Sequence, residues 1–466
     1  MNMMKSKKYE MDLTSGNFFK KILLFSIPLI LSGILQLLYS TADLMIVGDD
    51  SAVAAIGSTS SLISLCINLF LGLSVGANVI TAKSFAVGDK EKLSRGVHTA
   101  ISISVIIGVF LAIIGVIFAE TFLGLMRNPT SMAVTYLRIY FIGMPFNLLY
   151  NFSASILRGI GDTKRPLMYL SISGAVNVLL NLIFVYVFKM KVEGVAIATV
   201  VSQILSSFLV IRCLMKSKEA YSFKFSKIAI HKEELIEIIK VGLPAGIQGT
   251  LFAISNVIIQ SSVNQYGEVI LSGNSAAVDI GGYVYTAMIA LSNAAVSFVG
   301  QNMGVKNYKN IRKVVFYCLL IVSIIGMITG IPAFFFGKSL AKIYSLSELG
   351  TNTMYLRLFY LCVPYFTCGI MDVMVGTLRG MGKSFVPMAT SIIGICGFRI
   401  VWIYTVFKAL VDYNDYHTLR YLYMSYPISW VLTFGAHFTM FMIIYKKLVK
   451  QQESENKNKE LEYANN

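Results

Sequence analysis

The sequence predicts an all-α membrane protein of about twelve transmembrane helices, arranged as two pseudo-symmetric lobes of six. Composition, run length and an internal repeat carry that expectation. Of 466 residues, 56% are hydrophobic and 14% charged, with a mean hydropathy of +0.68, whereas a soluble domain carries about 25% charged residues. Apolar runs recur that are long enough to cross a hydrocarbon core of about 30 Å, which takes roughly 20 helical residues.

In chain order the spans are 18–47, 52–80, 97–119, 133–157, 167–188 and 192–214, then 236–262, 276–299, 314–336, 354–378, 386–408 and 421–445. The first is too long for a signal-peptide core and no small-residue cleavage site follows it promptly, so it is read as part of the mature protein. Pro28, well inside it, removes a backbone hydrogen bond and favours a kink, as does Pro244 in the seventh span. The fourth span reads YLRIYFIGMP from Tyr136 to Pro145, and the tenth reads YLRLFYLCVP from Tyr355 to Pro364, at an offset of 219. Leu157-Arg158-Gly159, Gly161 and Pro166 then match Leu378-Arg379-Gly380, Gly382 and Pro387 at offset 221, while Pro28 and Gly33 match Pro244 and Gly249 at offset 216. The last two spans enclose the polar stretch Lys408 to Arg420. Each copy holds an even number of spans, so the copies are parallel repeats about an axis along the membrane normal. The expected division is an N-lobe over 1–215, a cytoplasmic connection over 216–235, a C-lobe over 236–446 and a polar cytoplasmic tail over 447–466.

A net charge of +16 raises the question of nucleic acid, but the distribution of the charge answers it. Thirty Lys and Arg residues fall on the side of the N-terminus and nine on the other, with Arg399 inside a span. Under the positive-inside rule this places both termini in the cytoplasm of a multi-pass plasma (inner) membrane protein, and the basic excess becomes a topology signal. The six cysteines are scattered singly through apolar spans without metal or disulfide spacing, and read as small buried hydrophobes. No phosphate-binding Gly-rich loop of the Walker type appears, so no means of using ATP and no cofactor is visible.

The run LLYSTADLMIVG (Leu37–Gly48), the LRG-x-G-x4-P elements, SISGAVNVLLNLIFVYVF (Ser171–Phe188), GVAIATVVSQ (Gly194–Gln203) and FVGQNMG (Phe298–Gly304) together resemble the multidrug and toxin extrusion (MATE) family over nearly the whole chain. The acidic residue in the first of these is similar to the DinF branch more than to the NorM branch. The resemblance implies two six-helix lobes in a V and polyspecific drug export by alternating access, driven by proton or sodium influx. It also implies small-molecule, cationic substrates and no enzymatic activity; the protein is read as a monomer in the bilayer without a nucleic-acid partner.

Charged side chains inside spans are costly and face a cavity or a partner. Asp43 sits late in the first span, and the resemblance puts it at the acidic position that DinF-type members use in the N-lobe cavity. Asn177 and Asn181, four apart, share one helical face. The family pattern often has Asp at the second position; an amide cannot titrate there but can offer a carbonyl oxygen, so Asp43, Asn177 and Asn181 are a candidate sodium site. Thr199 matches an accompanying hydroxyl position. Asn151 lies seven residues before Arg158 and Asp372 seven before Arg379, so they are mirror positions, one amide and one carboxylate. Asn151 joins the ion-coupling set, and Asp372 joins Asn256, Tyr283 and Arg399 in the candidate substrate cavity. Asp372 does not fall on the acidic position of NorM-type members, which is nearer Cys368. Arg399, too deep to snorkel easily, is expected to pair with Asp372, in competition with a substrate role for that acid.

A lipid-linked oligosaccharide flippase of related architecture is the first alternative, but its phosphate substrate calls for a cavity rich in Arg and Lys, and the spans contain one evident Arg and at least two acids. An intramembrane enzyme would need a clustered constellation such as HExxH, and none is present. The charge division makes a testable expectation: cysteines introduced near Asp49 and Asp412 react with an impermeant reagent outside intact cells, and those near Lys224 or Lys309 do not. External labelling at Lys224 would overturn the orientation.

Overall fold

The computed structural model describes residues 9–48, 50–125 and 130–465, so Asp49, one of the labelling positions above, lies outside the described residues. Among the described residues there is no strand. The helices of the first half are α1 (Phe18–Val47), α2 (Asp50–Val87), α3 (Lys90–Leu125), α4 (Ser131–Ile142), α5 (Met144–Gly159), α6 (Lys164–Leu182) and α7 (Val192–Lys216). Those of the second are α8 (Lys232–Asn264), α9 (Glu268–Gly304), α10 (Tyr308–Phe335), α11 (Gly337–Ile343), α12 (Glu348–Cys362), α13 (Tyr365–Gly380), α14 (Phe385–Ser391), α15 (Phe398–Trp402), α16 (Lys408–Leu410), α17 (Leu419–Tyr423) and α18 (Ser425–Asn465).

Ten helical stretches are long and apolar enough to cross a membrane, and twelve if each of two bent pairs counts as one span. The bent pairs are α4 with α5, at 46°, and α12 with α13, at 44°. Both bends fall at the repeated motif that ends in Pro145 and Pro364, where the absent N–H and the fixed φ of proline interrupt the ladder. The helix assignment continues without a break through the other matched prolines, Pro28 and Pro244. A second irregularity also repeats. α6 ends in a π-turn over Ile183–Val187, and the eleventh span has one over Ile403–Phe407, close to the offset of 221, plus another at Ile392–Gly397. The polar stretch after Leu410 is a true break with a 3-10 turn at Tyr416–Thr418, whereas the polar tail continues α18 as helix to Asn465.

By compactness the chain forms two units: residues up to Leu13 with Lys20–Val257, and Thr14–Phe19 with the chain from Ile258 onward. Most of α8 therefore belongs to the first unit. Gly72 of α2 meets both Gly242 and Gly246 of α8, and Gly76 meets the backbone of Ile238 one turn before them, so small residues let the two helices approach closely. A Cβ at Gly72 would lie 2.1 Å from the Gly246 nitrogen, and one at Gly76 2.2 Å from the Ile238 oxygen. At the polar end of this crossing, Arg95 of α3 pairs with the buried Glu234 at 2.8 Å and Lys92 with Glu237 at 2.6 Å. The connection before α8 is held to the same unit, with the Lys224 amide donating to His98 Nε2 at 3.1 Å and the His231 amide to Thr99 Oγ1 at 3.0 Å.

Gly246→Val places a Cβ 2.0 Å from the Leu69 oxygen, and is expected to cost about 1–3 kcal/mol as overpacking. A lowered thermal midpoint in detergent, with no change for Gly435→Ala, where a Cβ meets nothing within 4 Å, is the expected result. Equal midpoints for parent and Gly246→Val would show that the crossing is not tight.

Candidate functional site

In the first unit a polar cluster assembles from α1, α6 and α7. Its register is set one turn before the acid. A Cβ at Gly174 of α6 would lie 1.8 Å from the Tyr39 ring of α1, so only glycine admits that ring against α6, and the Tyr39 hydroxyl donates to the Ser171 oxygen at 3.4 Å. Asp43 is one turn beyond Tyr39, and Asn177 and Asn181 are one and two turns beyond Gly174, so the same contact brings acid and amides together. Asn181 Nδ2 donates to Asp43 Oδ1 at 2.5 Å, and the Thr199 hydroxyl, which also bonds the Val195 oxygen at 2.9 Å, donates to Asp43 Oδ2 at 3.5 Å. Asn181 Nδ2 also reaches Asn177 Oδ1 at 3.4 Å, and Asn177 Nδ2 reaches Thr199 Oγ1 at 3.5 Å. Tyr136 and Tyr140 of α4 lie within electrostatic reach of the carboxyl.

Asn181 is 0% exposed, and its Oδ1 has no hydrogen-bond partner. A buried amide oxygen left unpaired beside a carboxylate and a second amide is a set of hard oxygen donors suited to sodium. Among the described residues, no group of three His, Cys, Asp or Glu could hold a metal ion, so such a site would rest on one acid with amide and hydroxyl oxygens. Asp43, Asn177, Asn181 and Thr199 are thus together. Asn151 is elsewhere in its bonding: its amide donates to the Asn147 oxygen at 2.9 Å and to Asn147 Oδ1 at 3.2 Å, within its own helix.

In the second unit Asp372 is 7% exposed. The side chains that face its carboxyl are the Tyr285 hydroxyl and the Arg379 guanidinium, with Cys368 Sγ at 4.0 Å. Its main-chain oxygen accepts from Ser292 Oγ at 2.7 Å. The expected pair with Arg399 is not formed. Arg399, 5% exposed, donates from Nε to Ser429 Oγ at 3.0 Å and lies over the Tyr426 ring at 4.0 Å and the Trp430 ring at 5.9 Å. Aromatic faces and a hydroxyl replace the carboxylate as its surroundings. Arg379 is two turns from Asp372 on the same helix, and that spacing of seven was visible in the repeat. Tyr283 is half-buried and is not among the polar partners of Asp372; Asn256 is exposed and belongs to the first unit.

Arg399 is also not alone. Arg357, 8% exposed, donates to Asn274 Oδ1 at 2.5 Å and stands over the rings of Tyr423 at 5.4 Å and Tyr426 at 5.9 Å. Asn274 accepts from Tyr423 as well, at 2.8 Å, and donates to Gln260 Oε1 at 3.2 Å. Among the described residues neither arginine has a carboxylate partner. Its mirror position, Arg138, is exposed and paired with Glu120 at 3.8 Å, so the sequence motif YLR alone does not reveal the depth of Arg357.

The MatE family model matches residues 28–187 and again 244–405, one match for each repeat. The chain is 28% identical over 440 residues to the probable multidrug resistance protein YoeA of Bacillus subtilis, covering 91% of this chain and 93% of that one. It is 22% identical to the FAD transporter of Shewanella oneidensis, over 90% and 93% of the two chains. Among solved structures it is similar to a multidrug resistance MATE family transporter of the MOP superfamily in an outward-facing conformation, with a TM-score of 0.86, 22% identity, and 94% of this chain and 98% of that one covered.

The contact that sets the Asp43 register is testable by a double-mutant cycle. Gly174→Val should lower stability by about 1–3 kcal/mol, and by much less in a Tyr39→Ala background, where the ring no longer occupies the space of the new side chain. An equal cost in both backgrounds would separate Gly174 from Tyr39.

Proposed function

The chain belongs to the MatE family, whose members are transporters and not enzymes, and from that premise we propose that it is a secondary antiporter that exports drugs and toxic metabolites by alternating access, coupled to proton or sodium influx through Asp43. The observation that carries the reading is the Asp43 cluster: one carboxylate held by Asn181 and Thr199, with a buried amide oxygen unspent beside it. Such a group has two exclusive uses. Protonation, or a sodium ion held by Asp43 with the Asn177 and Asn181 oxygens, neutralises the acid, and neither event needs a second titrating group. Asn177, Asn181 and Thr199 orient the carboxyl. Residues 1–215 and 236–446 act as the two lobes joined by 216–235, with 447–466 as the tail; both termini are cytoplasmic in the plasma (inner) membrane, and the working unit is a monomer. YoeA and the other multidrug resistance relatives support the substrate class.

One monovalent ion moving inward across about 100 mV releases roughly 2.3 kcal/mol, enough for about a 50-fold gradient of a neutral substrate. One-for-one exchange with a monovalent cation cancels that electrical contribution, so export of a lipophilic cation would follow the chemical gradient of the coupling ion.

A second reading concerns substrate charge. Arg357 and Arg399 stack on one set of rings without carboxylate partners, and one relative is named an FAD transporter. Both features support an anionic or flavin-type substrate bound in the second unit, beside the cationic class that Asp372 supports.

Asp43→Asn tests the coupling site in proteoliposomes. Substrate-driven proton or sodium flux should fall to background while substrate binding and thermal midpoint stay near the parental values. Export at the parental rate would end the assignment of Asp43. Competition by a flavin nucleotide and by a lipophilic cation, with Arg357→Gln and Arg399→Gln, separates the two substrate classes.

A further inference from the structure

A cavity of about 890 Å³ in the second unit lies outside both clusters described above. Its floor carries Lys309, Arg312 and Lys313, which at spacings of three and four project from one face of α10. Its walls include Phe316, Tyr317 and Tyr445, and its remaining side is the segment Gly16–Phe18, where α1 begins. The segment is fixed there, since Asn310 Nδ2 donates to the Thr14 oxygen at 2.7 Å and the Phe19 ring meets the Tyr317 ring edge-on at 6.1 Å.

The three cations form no ion pair among the described residues, whereas Arg95 pairs with Glu234 and Lys92 with Glu237. Three like charges on one helical face repel one another unless an anion sits among them. The start of the 30-residue α1 adds the partial positive end of a helix dipole to the same space. Depth in the bilayer narrows the identity of the anion. Two membrane spans, Phe18–Val47 and Tyr308–Phe335, both begin at this cavity, and tyrosines line it as they do at the headgroup level of membrane proteins. Phe316, 61% exposed, offers an apolar surface beside the charges. A basic pocket between span ends with an apolar flank suits a ligand with a phosphate at one end and hydrocarbon at the other.

We propose that this cavity binds the phosphate headgroup of an anionic phospholipid, with Lys309, Arg312 and Lys313 on the phosphate and Phe316 against the upper acyl chain. The site is independent of the coupling chemistry of Asp43 and of which leaflet faces the cytoplasm.

Native mass spectrometry of the full chain, titrated with phosphatidylglycerol or phosphatidylcholine, tests it. The parent should retain phosphatidylglycerol preferentially, and Lys309→Gln/Arg312→Gln/Lys313→Gln should weaken that retention by on the order of tenfold or more. The charge-matched variant Lys338→Gln/Lys342→Gln/Lys408→Gln should keep it, and thermal midpoints in phosphatidylcholine should agree for all three proteins. If the triple variant does not purify, Arg312→Gln alone reports the same direction. Undiminished phosphatidylglycerol retention by the cavity variant, or an equal loss in the charge-matched one, overturns the site. Displacement of the lipid by inorganic phosphate or glycerol 1-phosphate at equal concentration overturns the lipid assignment in favour of a soluble phosphate.

Discussion

In hydrocarbon an unpaired backbone amide or carbonyl costs several kcal/mol, and no water is there to relieve it. Every irregularity of the spans is shaped by that demand. At the first bend the Gly143 amide reaches back three residues to the Tyr140 oxygen at 3.0 Å, and the Asn147 amide takes up the Gly143 oxygen at 3.0 Å. At the second, the Val363 amide reaches back five residues to Leu358 at 3.3 Å. Proline can stand at each bend because it has no N–H to leave unpaired. The π-turns at Ile183–Val187 and Ile403–Phe407 change the rotation of a helix while keeping its groups bonded. Side-chain hydroxyls meet the same requirement locally, as Thr199 does on the Val195 oxygen and Ser171 on the Leu167 oxygen at 2.9 Å each.

Charged side chains extend the same constraint, and the two units answer it with different chemistry. Asp43 is surrounded by an amide and a hydroxyl, which stabilise a carboxylate without neutralising it permanently. A lysine or arginine in that place would hold the acid ionised and remove it from exchange with solution ions. Arg357 and Arg399 are placed over rings, where delocalised charge is well matched to π-faces and poorly matched to a point anion. Asp372 has both a hydroxyl and a guanidinium facing it.

Span number and family were legible because both depend on long runs and on order along the chain. Depth and partnership were less so. Run length shows that Tyr355–Pro364 is membranous, but Arg357 occupies the same YLR position as the exposed Arg138, and only the packing of Asn274 and Tyr423 around it distinguishes them. The partner expected for Asp372 was the conspicuous arginine of the eleventh span, whereas the nearer one was two turns away on its own helix. Asp43 and Asn181 are 138 residues apart, so their contact rests on the Tyr39 and Gly174 fit, which no local pattern announces. The helical tail was hidden by its polarity, since residues such as Lys, Glu and Gln favour helix as readily as they mark a solvated segment.

The two repeats have diverged in a way that follows from these costs. The two bends, and the π-turns at Ile183–Val187 and Ile403–Phe407, recur at matched offsets because each fixes the packing of neighbouring helices, whereas the π-turn at Ile392–Gly397 has no counterpart in the first copy. Polar side chains are free to change singly. At offset 216, Asp43 corresponds to Ile259, which is buried, and at offset 221, Asn177 and Asn181 correspond to Phe398 and Trp402. The centroids of those two rings lie 5.5 Å apart, at the same i, i+4 spacing that the amides have in the other copy. In the reverse direction, Arg399 corresponds to Val178. The second copy therefore has no spare for the carboxylate and amide cluster, and the first has none for the stacked Arg399. A scaffold that shares its bends and one π-turn between the copies has thus kept the acid with its amides in one copy and the guanidinium on aromatic rings in the other.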